Sequence, residues 1–534
     1  MYKRQSNNTA VGYQASYSNT TGTNVVAIGY QSMYSNTTGG YTVAIGRQAG
    51  YSWSNASEGN GSVFIGDSAG KNTTGHDNTF VGASSGFATT TALWSAAFGS
   101  GALQSTTTGN YNTAIGAQSL QANTTANTNT AVGYQSLYSN TTGAPNTAVG
   151  TTSLYSNTTG TNNSAFGTDA LYANTTGGSN TALGRSALVA NTTASNNTAV
   201  GYQALYSNTT ASNNTAFGYL AGFNNTTGGD STGIGAYALY SNTTGNYNTA
   251  VGENALGLNT TANNNTAVGY QAGYNNTTGS SSTFVGYQAG YASTGNTNCS
   301  IGFQAGYYCT GTANTFVGPN STGALITSGS KNTVIGGFQG NSGGLDLRTA
   351  SNYIVLSDGD GNPRGIFDGS GNFIVNGTAT TGAGKSNLYF ASGSNGFSVV
   401  STDNTTNASF MQMYANGSFC GNITRVGTTS AVLYGSASDY RLKTNVFPMI
   451  GALDTVSKLN PVTYDWKSGG SSQGFIAHEL QAVLPDAVTG KKDDVDLEGN
   501  PKYQTIDTSF LVATLTAAIQ ELKAEFDAYK STHP

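Results

Sequence analysis

The sequence predicts a mainly β protein: a repetitive β-solenoid or β-roll shaft of about twenty 17-residue rungs, a β-rich stem, and a small α+β C-terminal domain that ends in a long coiled-coil-like helix. Three observations carry this. A pentapeptide of the Asn-Thr-Ala-Val-Gly type recurs twenty times between Gly12 and Gly336, and from Gly82 to Gly286 the step is 17 every time. Of the 43 charged side chains, 22 lie in the last 97 residues, so composition changes near 438. The final stretch carries apolar residues at steps of three and four. The expected divisions are 1–5, 6–336, 337–437 and 438–534.

Residues 1–5 read Met1-Tyr2-Lys3-Arg4-Gln5 and hold two of the 19 basic residues. No apolar segment follows, so this is not a secretory signal. From a GTG start the pentapeptide back-translates as GTG-TAT-AAG-AGA-CAG, which looks like a transposon sequencing adaptor. The expectation is that residues 1–5 are adaptor and that the gene continues upstream, into an attachment part missing here.

Each unit, such as Asn265 to Ser281, carries one short apolar stretch and often a second, as in Ala238-Leu239-Tyr240. A turn signal such as Ser-Asn-Thr-Thr-Gly separates the units. One unit cannot bury a core, but stacked units can. At about 4.8 Å per rung, twenty rungs build a rod on the order of 95 Å. Equally spaced Asn and Thr are expected to form side-chain ladders along it. The Gly after each apolar residue lets neighbouring backbones approach. The Asn-Thr-Thr triplets are read as turn chemistry, not glycosylation. The 32 Tyr could stack on sugar faces; the favoured reading is that most rings cap the rod and fill gaps between subunits.

From 337 the period is lost. Tyr353–Leu356, Gly365–Phe367 and Asn372–Val375 read as strands. Asp358-Gly359-Asp360-Gly361-Asn362 imitates a calcium loop, but Pro363 and Gly369 occupy the positions that need Gly and Glu, so a hairpin turn is expected. Gly382 to Ser386 lacks the first P-loop glycine. Residues 387–434, including Asn387-Leu388-Tyr389-Phe390 and Phe410-Met411-Gln412-Met413, read as a β-rich stem and a second candidate for receptor contact. In the last domain, Phe447, Ile450, Leu453, Val456 and Leu459 suit one face of a short helix. Asp507 can cap a helix running to about Tyr529, with a seam of Leu511, Leu515, Ala518, Leu522, Glu525 and Tyr529, and Ile519 and Phe526 alongside.

Several function classes are excluded. No apolar run approaches 18 residues, so no membrane insertion is expected. Cys299, Cys309 and Cys420 are too few and too irregular for a disulfide framework or a metal site. The net charge of −5 offers nothing to nucleic acid. Glu58, Asp67, Asp77, Asp169, Asp230 and Glu253 never recur in register, so a glycosidase carboxylate pair is not expected in the array. No metal and no cofactor is implied.

Ser438-Asp439-x-Arg441-Leu442-Lys443-x-Asn445 opens the last domain. Leu459-Asn460-Pro461-Val462-x-Tyr464-x-Trp466, Gly474-Phe475-Ile476-Ala477-x-Glu479-Leu480, Leu484-Pro485 and a terminal helix follow in order. This series resembles the intramolecular chaperone domain of endosialidases, phage tail spikes and tail fibres. The resemblance implies that 438–534 helps a fibre to form a homotrimer and then releases itself. It implies cleavage at Ala437–Ser438, with Ser438 as nucleophile and Lys443 as base, a Ser-Lys peptidase making one intramolecular cut. His478 stands where that family's motif carries Gln, and this bears on cleavage. The units also resemble the head repeats of YadA-type trimeric adhesins, since Val26-Ala27-Ile28-Gly29 and Val43-Ala44-Ile45-Gly46 match them letter for letter. Together these imply a host-recognition tail fibre in a virion, made in the host cytoplasm without a signal peptide. Its partners would be a host cell-surface receptor, a glycan or an outer-surface protein, and other tail proteins. A bacterial trimeric surface adhesin is the alternative, but it would need a membrane-anchor barrel. An ice-binding solenoid is a further one, but there Thr would alternate along a strand.

Overall fold

The computed structural model describes residues 7–54, 61–369, 373–374, 409–415, 418–425, 432–436, 444–467, 470–495 and 501–533. They fall into two compact units, Met1–Leu388 and Tyr389–Pro534.

The first unit is a β-solenoid with one short strand per coil, from β1 (Thr9–Val11) to β20 (Thr333–Ile335). Successive strands pair in parallel without slippage: Thr249 faces Thr266, Ala250 faces Ala267 and Val251 faces Val268. Alternation puts the middle residue inside and its two neighbours outside. The chain then turns at Gly252, with φ at +132°. A Cβ there would lie 2.5 Å from the Gly269 carbonyl oxygen, so the close approach expected of this glycine is real.

The second apolar stretch is not a strand. Asn254 and Leu256 adopt left-handed φ values of 58° and 48°, and Asn264 follows at 58°. This curl points Leu256 into the core while its N–H reaches Ala272 O on the next coil at 2.9 Å. Left-handed residues cost on the order of 1 kcal/mol each. Only hydrogen bonds and burial contributed by neighbouring coils offset that.

Two columns of buried asparagines run along the coil, the first from Asn112 to Asn265 broken only by Ser231 and the second from Asn123 to Asn259. The Asn265 N–H donates to Asn248 Oδ1 at 3.0 Å, and Asn248 Nδ2 donates to Ala262 O at 2.8 Å. In the second column Asn242 Nδ2 donates to Asn225 Oδ1 at 2.8 Å and Asn259 Nδ2 to Asn242 Oδ1 at 2.7 Å. That column stops at Asn259, whose Oδ1 has no partner. Asn276 turns its amide onto its own turn instead, bonding Gly279 O at 2.7 Å and Gly279 N at 2.9 Å. Threonine hydroxyls make a further column, Thr243 Oγ1 to Thr260 O at 3.1 Å among them.

The apolar core also has two columns, the strand alanines and the turn leucines. Where the strand carries Phe instead of Ala, the turn carries Gly instead of Leu. Phe64 packs against Gly50 and Gly70, Phe80 against Gly86, Phe284 against Gly273 and Gly290, and Phe316 against Gly306 and Gly323. Each exchange conserves volume, and a Cβ at Gly273 would lie 2.6 Å from Phe284 Cδ2. Compensation fails once. Gly222 and Gly233 meet without an aromatic ring, leaving a cavity of about 10 Å³ that Leu205, Ala216 and Leu239 help to line. One apolar cluster ends there at Ala221 and the next begins at Ala238.

Beyond Gly336 the parallel ladder gains one more strand. A small hairpin, β21 (Asn341–Ser342) with β22 (Leu345–Asp346), precedes β23 (Ile354–Ser357), which pairs with β20. Antiparallel β24 (Pro363–Phe367) and β25 (Phe373–Ile374) then follow. The strand readings for 353–375 hold. The loop 358–362 is the expected hairpin turn: the Asp358 carboxylate accepts N–H bonds from Asp360 and Asn362 and pairs with Arg364 at 2.6 Å. These donors hold its carboxyl down at about 2.

In the second unit, β26 (Ser409–Ala415), β27 (Ser418–Arg425) and β28 (Val432–Ser436) form an antiparallel meander. Then come α1 (Ala452–Ser457), the hairpin β29 (Val462–Asp465) with β30 (Ser471–Gly474), α2 (Ala477–Val483), the pair β31 (Val488–Thr489) with β32 (Thr505–Ile506), and α3 (Ser509–Thr532). Residues 387–390 and 382–386 lie outside the described residues.

The glycine logic predicts two opposite outcomes. Gly233→Ala has ordinary φ and meets Ala238 O at 3.4 Å and Leu239 Cδ1 at 3.5 Å, so it should stabilise the shaft by about 0.5–1 kcal/mol. Gly252→Ala should destabilise it by about 2 kcal/mol or more. Denaturant midpoints of the two variants, read beside the parent chain, decide the matter.

Candidate functional site

The outward side of the solenoid strand carries the first candidate surface. The residue before the repeat glycine is apolar in all twenty coils, from Val11 through Ile45, Phe98 and Ile234 to Ile335. An outward position on a solvated sheet is ordinarily polar. Here Phe217 is 54% exposed and Leu183 49%. Strand pairing sets these side chains in one line, about 4.8 Å apart. Together they expose on the order of 1,000 Å², well above the few hundred Å² patch of an ordinary monomer. Half-buried threonines flank the line two residues earlier, and Cys299 replaces one of them.

Many of the tyrosines form stacks along the coil axis, while Tyr41, Tyr134 and Tyr247 are exposed outside these stacks. Tyr138, Tyr155 and Tyr172 lie 5.0 and 5.1 Å apart with planes 3° and 7° from parallel, and Tyr274, Tyr291 and Tyr307 form a similar stack. Stacking on sugars needs a free ring face. Within each stack the faces meet one another and only ring edges and hydroxyls face outward. The first threonine hydroxyl of each Thr-Thr turn bonds the next coil, as Thr226 and Thr243 do, while the second, as at Thr227 and Thr244, is exposed.

The second surface belongs to the C-terminal domain. Its motifs fold together: Asn460 Nδ2 donates to Glu479 Oε2 at 3.1 Å, and Leu459, Phe475, Ala477 and Leu484 pack around Leu480, Ala487, Val488 and Leu511. Asp507 accepts the Ser509 N–H at 2.9 Å at the start of α3, as its position suggested.

The expected α3 seam is corrected. Leu511, Thr514 and Ala518 are buried against the domain itself. Glu521, next on that face, accepts the Ala452 and Leu453 N–H groups of α1 at 3.0 and 2.7 Å. These bonds hold its carboxyl below the usual glutamate value. The exposed line is Val512, Leu515, Ile519, Leu522, Phe526 and Tyr529, with steps of 3, 4, 3, 4 and 3. That is a heptad seam left exposed among the described residues, with Tyr529 stacked on His533 at the helix end. The short-helix reading over 447–459 is also corrected: the helix covers only Ala452–Ser457, and Phe447 and Ile450 precede it as exposed chain.

Ala437, Ser438 and Lys443 lie outside the described residues, and the described chain resumes at Thr444. His478 is half-buried in the first turn of α2, and its side chain makes no hydrogen bond among the described residues. No cluster of metal-ligating side chains occurs among the described residues, and no helix there is long and apolar enough to cross a membrane. Cys309 is buried, and burial pushes its thiol up to about 11, so it is an inert core residue.

Comparison with known proteins agrees with this geometry. Residues 438–489 match the family described as Chaperone of endosialidase. The chain is similar to the long tail fiber protein Gp37 of Enterobacteria phage K3, 29% identical over 206 residues, which is 35% of this chain and 16% of that protein. It is also similar to the long tail fiber protein Gp37 of Enterobacteria phage T2, 39% identical over 100 residues, 18% of this chain and 7% of that protein. The chain therefore spans a small part of those relatives. The K3 match is longer than the 97 residues from 438 onward, so it draws on earlier residues as well. No solved structure matches the chain.

Glu521 gives a pH prediction. Its folded carboxyl is depressed, so its hold on α1 is present above the unfolded glutamate value and is lost as pH falls through the folded one. Amide protection at 452–457, taken relative to the intrinsic exchange rate at each pH, should therefore fall on acidification, and in Glu521→Gln it should be low already at neutral pH with that acid limb gone.

Proposed function

We propose that this chain is shaft and C-terminal assembly domain of a bacteriophage host-recognition fibre, built as a homotrimer. The observation that carries the reading is the unbroken apolar line on the outward strand face. A monomer would leave it in water, whereas three chains can turn it toward a common axis. The family of the C-terminal domain and the tail-fibre relatives support the same reading. A host receptor and the other tail proteins complete the partner set, and the virion is the location.

Near-identical coils can pair in the wrong register at little cost. A domain at the C-terminus that gathers three chains before the coils stack removes that freedom. In this reading 6–336 is the shaft, 337–437 the stem and 438–534 the assembly domain. Release then leaves the fibre kinetically trapped.

In the proposed cut, neutral Lys443 takes the proton of the Ser438 hydroxyl. Ser438 Oγ bonds to the Ala437 carbonyl carbon, the C–N bond breaks, and the proton returns to the Ser438 α-amine. Ala437 is then an ester on Ser438 Oγ, and water hydrolyses it. No metal or cofactor enters.

Intact mass of the denatured protein tests this. The parent chain should give two fragments meeting at Ala437/Ser438, with hydroxylamine hastening the cut through the ester. Ser438→Ala and Lys443→Ala should each give one full-length species. A full-length parent chain would remove the peptidase claim. A charge in the apolar line tests the trimer separately: Phe217→Lys with Ile234→Lys should convert a trimer of the parent mass to monomer or aggregate, while the same change at exposed turn residues Thr227 and Thr244 leaves it intact. Iodoacetamide should label Cys299 slowly in the trimer and rapidly in the charged variant.

A further inference from the structure

The segment between the proposed cut and α1 has a surface of its own. Val446 is 77% exposed, Phe447 81% and Ile450 87%, with Met449 also exposed. None of the four makes a hydrogen bond to another described residue, and Pro448 keeps the stretch out of a helix. The root of this arm is fixed. Gly451 leads into Ala452 and Leu453, whose N–H groups are held by Glu521 on α3. The arm thus leaves the domain beside the middle of α3, close in sequence to the exposed Ile519 and Leu522 of the seam.

We infer that the arm Val446–Ile450 docks on α3 of a neighbouring copy, across the seam Val512, Leu515, Ile519, Leu522, Phe526 and Tyr529. This rests on the trimer reading and deepens it. Area argues for the occupant. The seam alone exposes roughly 650 Å² per copy, short of the ~800 Å² a partner contributes to a standard interface, while seam and arm together expose roughly 1,200 Å². Charge agrees, because the arm carries no ionisable side chain from Thr444 to Ile450 and the seam positions are all uncharged. The arm's own α3 is engaged at Glu521 and leaves arm and seam both uncovered, so a second copy of the same surface is the complement at hand. The arm also begins three residues after Lys443. Docking on a neighbour would therefore hold the proposed cutting segment only once chains have assembled.

Paired cysteines in the full chain test this: Ile450→Cys with Ile519→Cys, and Ile450→Cys with Phe526→Cys, each oxidised mildly and mapped by mass spectrometry of the linked peptides. The expected result is a 450–519 or 450–526 disulfide in a covalent dimer or trimer on a denaturing gel, since both sites stay on the same piece if the cut occurs. The same disulfide only within single chains, or no disulfide in a protein whose native mass is trimeric, overturns the arm and leaves the trimer standing. A parent chain of monomeric native mass overturns both. A second measurement covers loss of folding in the cysteine variants: Phe447→Ser with Ile450→Ser should keep the helical content of α3 yet lower the trimer fraction at least tenfold at a fixed low concentration, and an unchanged fraction refutes docking.

Discussion

The structure depends on one constraint: the buried amides inside the solenoid must find their partners on neighbouring coils or in their own turn. An unpartnered buried amide costs about 1–3 kcal/mol, and each ordinary coil buries two asparagine side chains. Asn248 is satisfied by Ala262 and by Asn265 of the following coil, and the Asn242 amide by Asn225 before it and Asn259 after it. A coil alone would carry left-handed residues, open amides and a few alanines as its whole core. Stacking is therefore the condition for each coil to be folded at all, and the stack is cooperative along its axis.

That constraint explains the rest of the chain. Ladders of like residues reward any integral shift of one coil against another, so internal stability supplies little choice of register between chains. A separate domain with an ordinary mixed core, built around Leu480, Ala487 and Leu511, makes contacts that occur once. Its last helix divides its surface: Leu511, Ala518 and Glu521 hold it to its own domain, and the adjoining line from Val512 to Tyr529 is exposed.

Much of this was legible in the residues. The 17-residue step announced coils, and the Asn and Thr columns followed from it. The left-handed turn was not legible, because Leu256 and Asn254 in that conformation are ordinary residues placed by tertiary stacking. The α3 seam was misassigned for a related reason. A helix with apolar residues at 511, 512, 515, 518, 519, 522 and 526 contains two overlapping three-four lines, and only the neighbour at α1 decides which is inside. The helix expected at 447–459 began late, since Pro448 lies in its first turns and no core faces Phe447. For Ser438 and Lys443 the signal is the motif itself.

The pairing of Phe with Gly across the core has a consequence for shaft length. A coil of the Ala–Leu kind meets neighbours of its own kind on both sides, so removing or duplicating one such 17-residue unit between Gly116 and Gly201 restores the same contacts at the seam of the edit. A coil built on Phe284 or Phe64 takes room from the turn glycine of the coil before it, and so can be moved only together with that neighbour. The array therefore reads as interchangeable middle segments bracketed by fixed blocks. Recombination could retune the reach of the fibre in steps of about 4.8 Å without touching its ends.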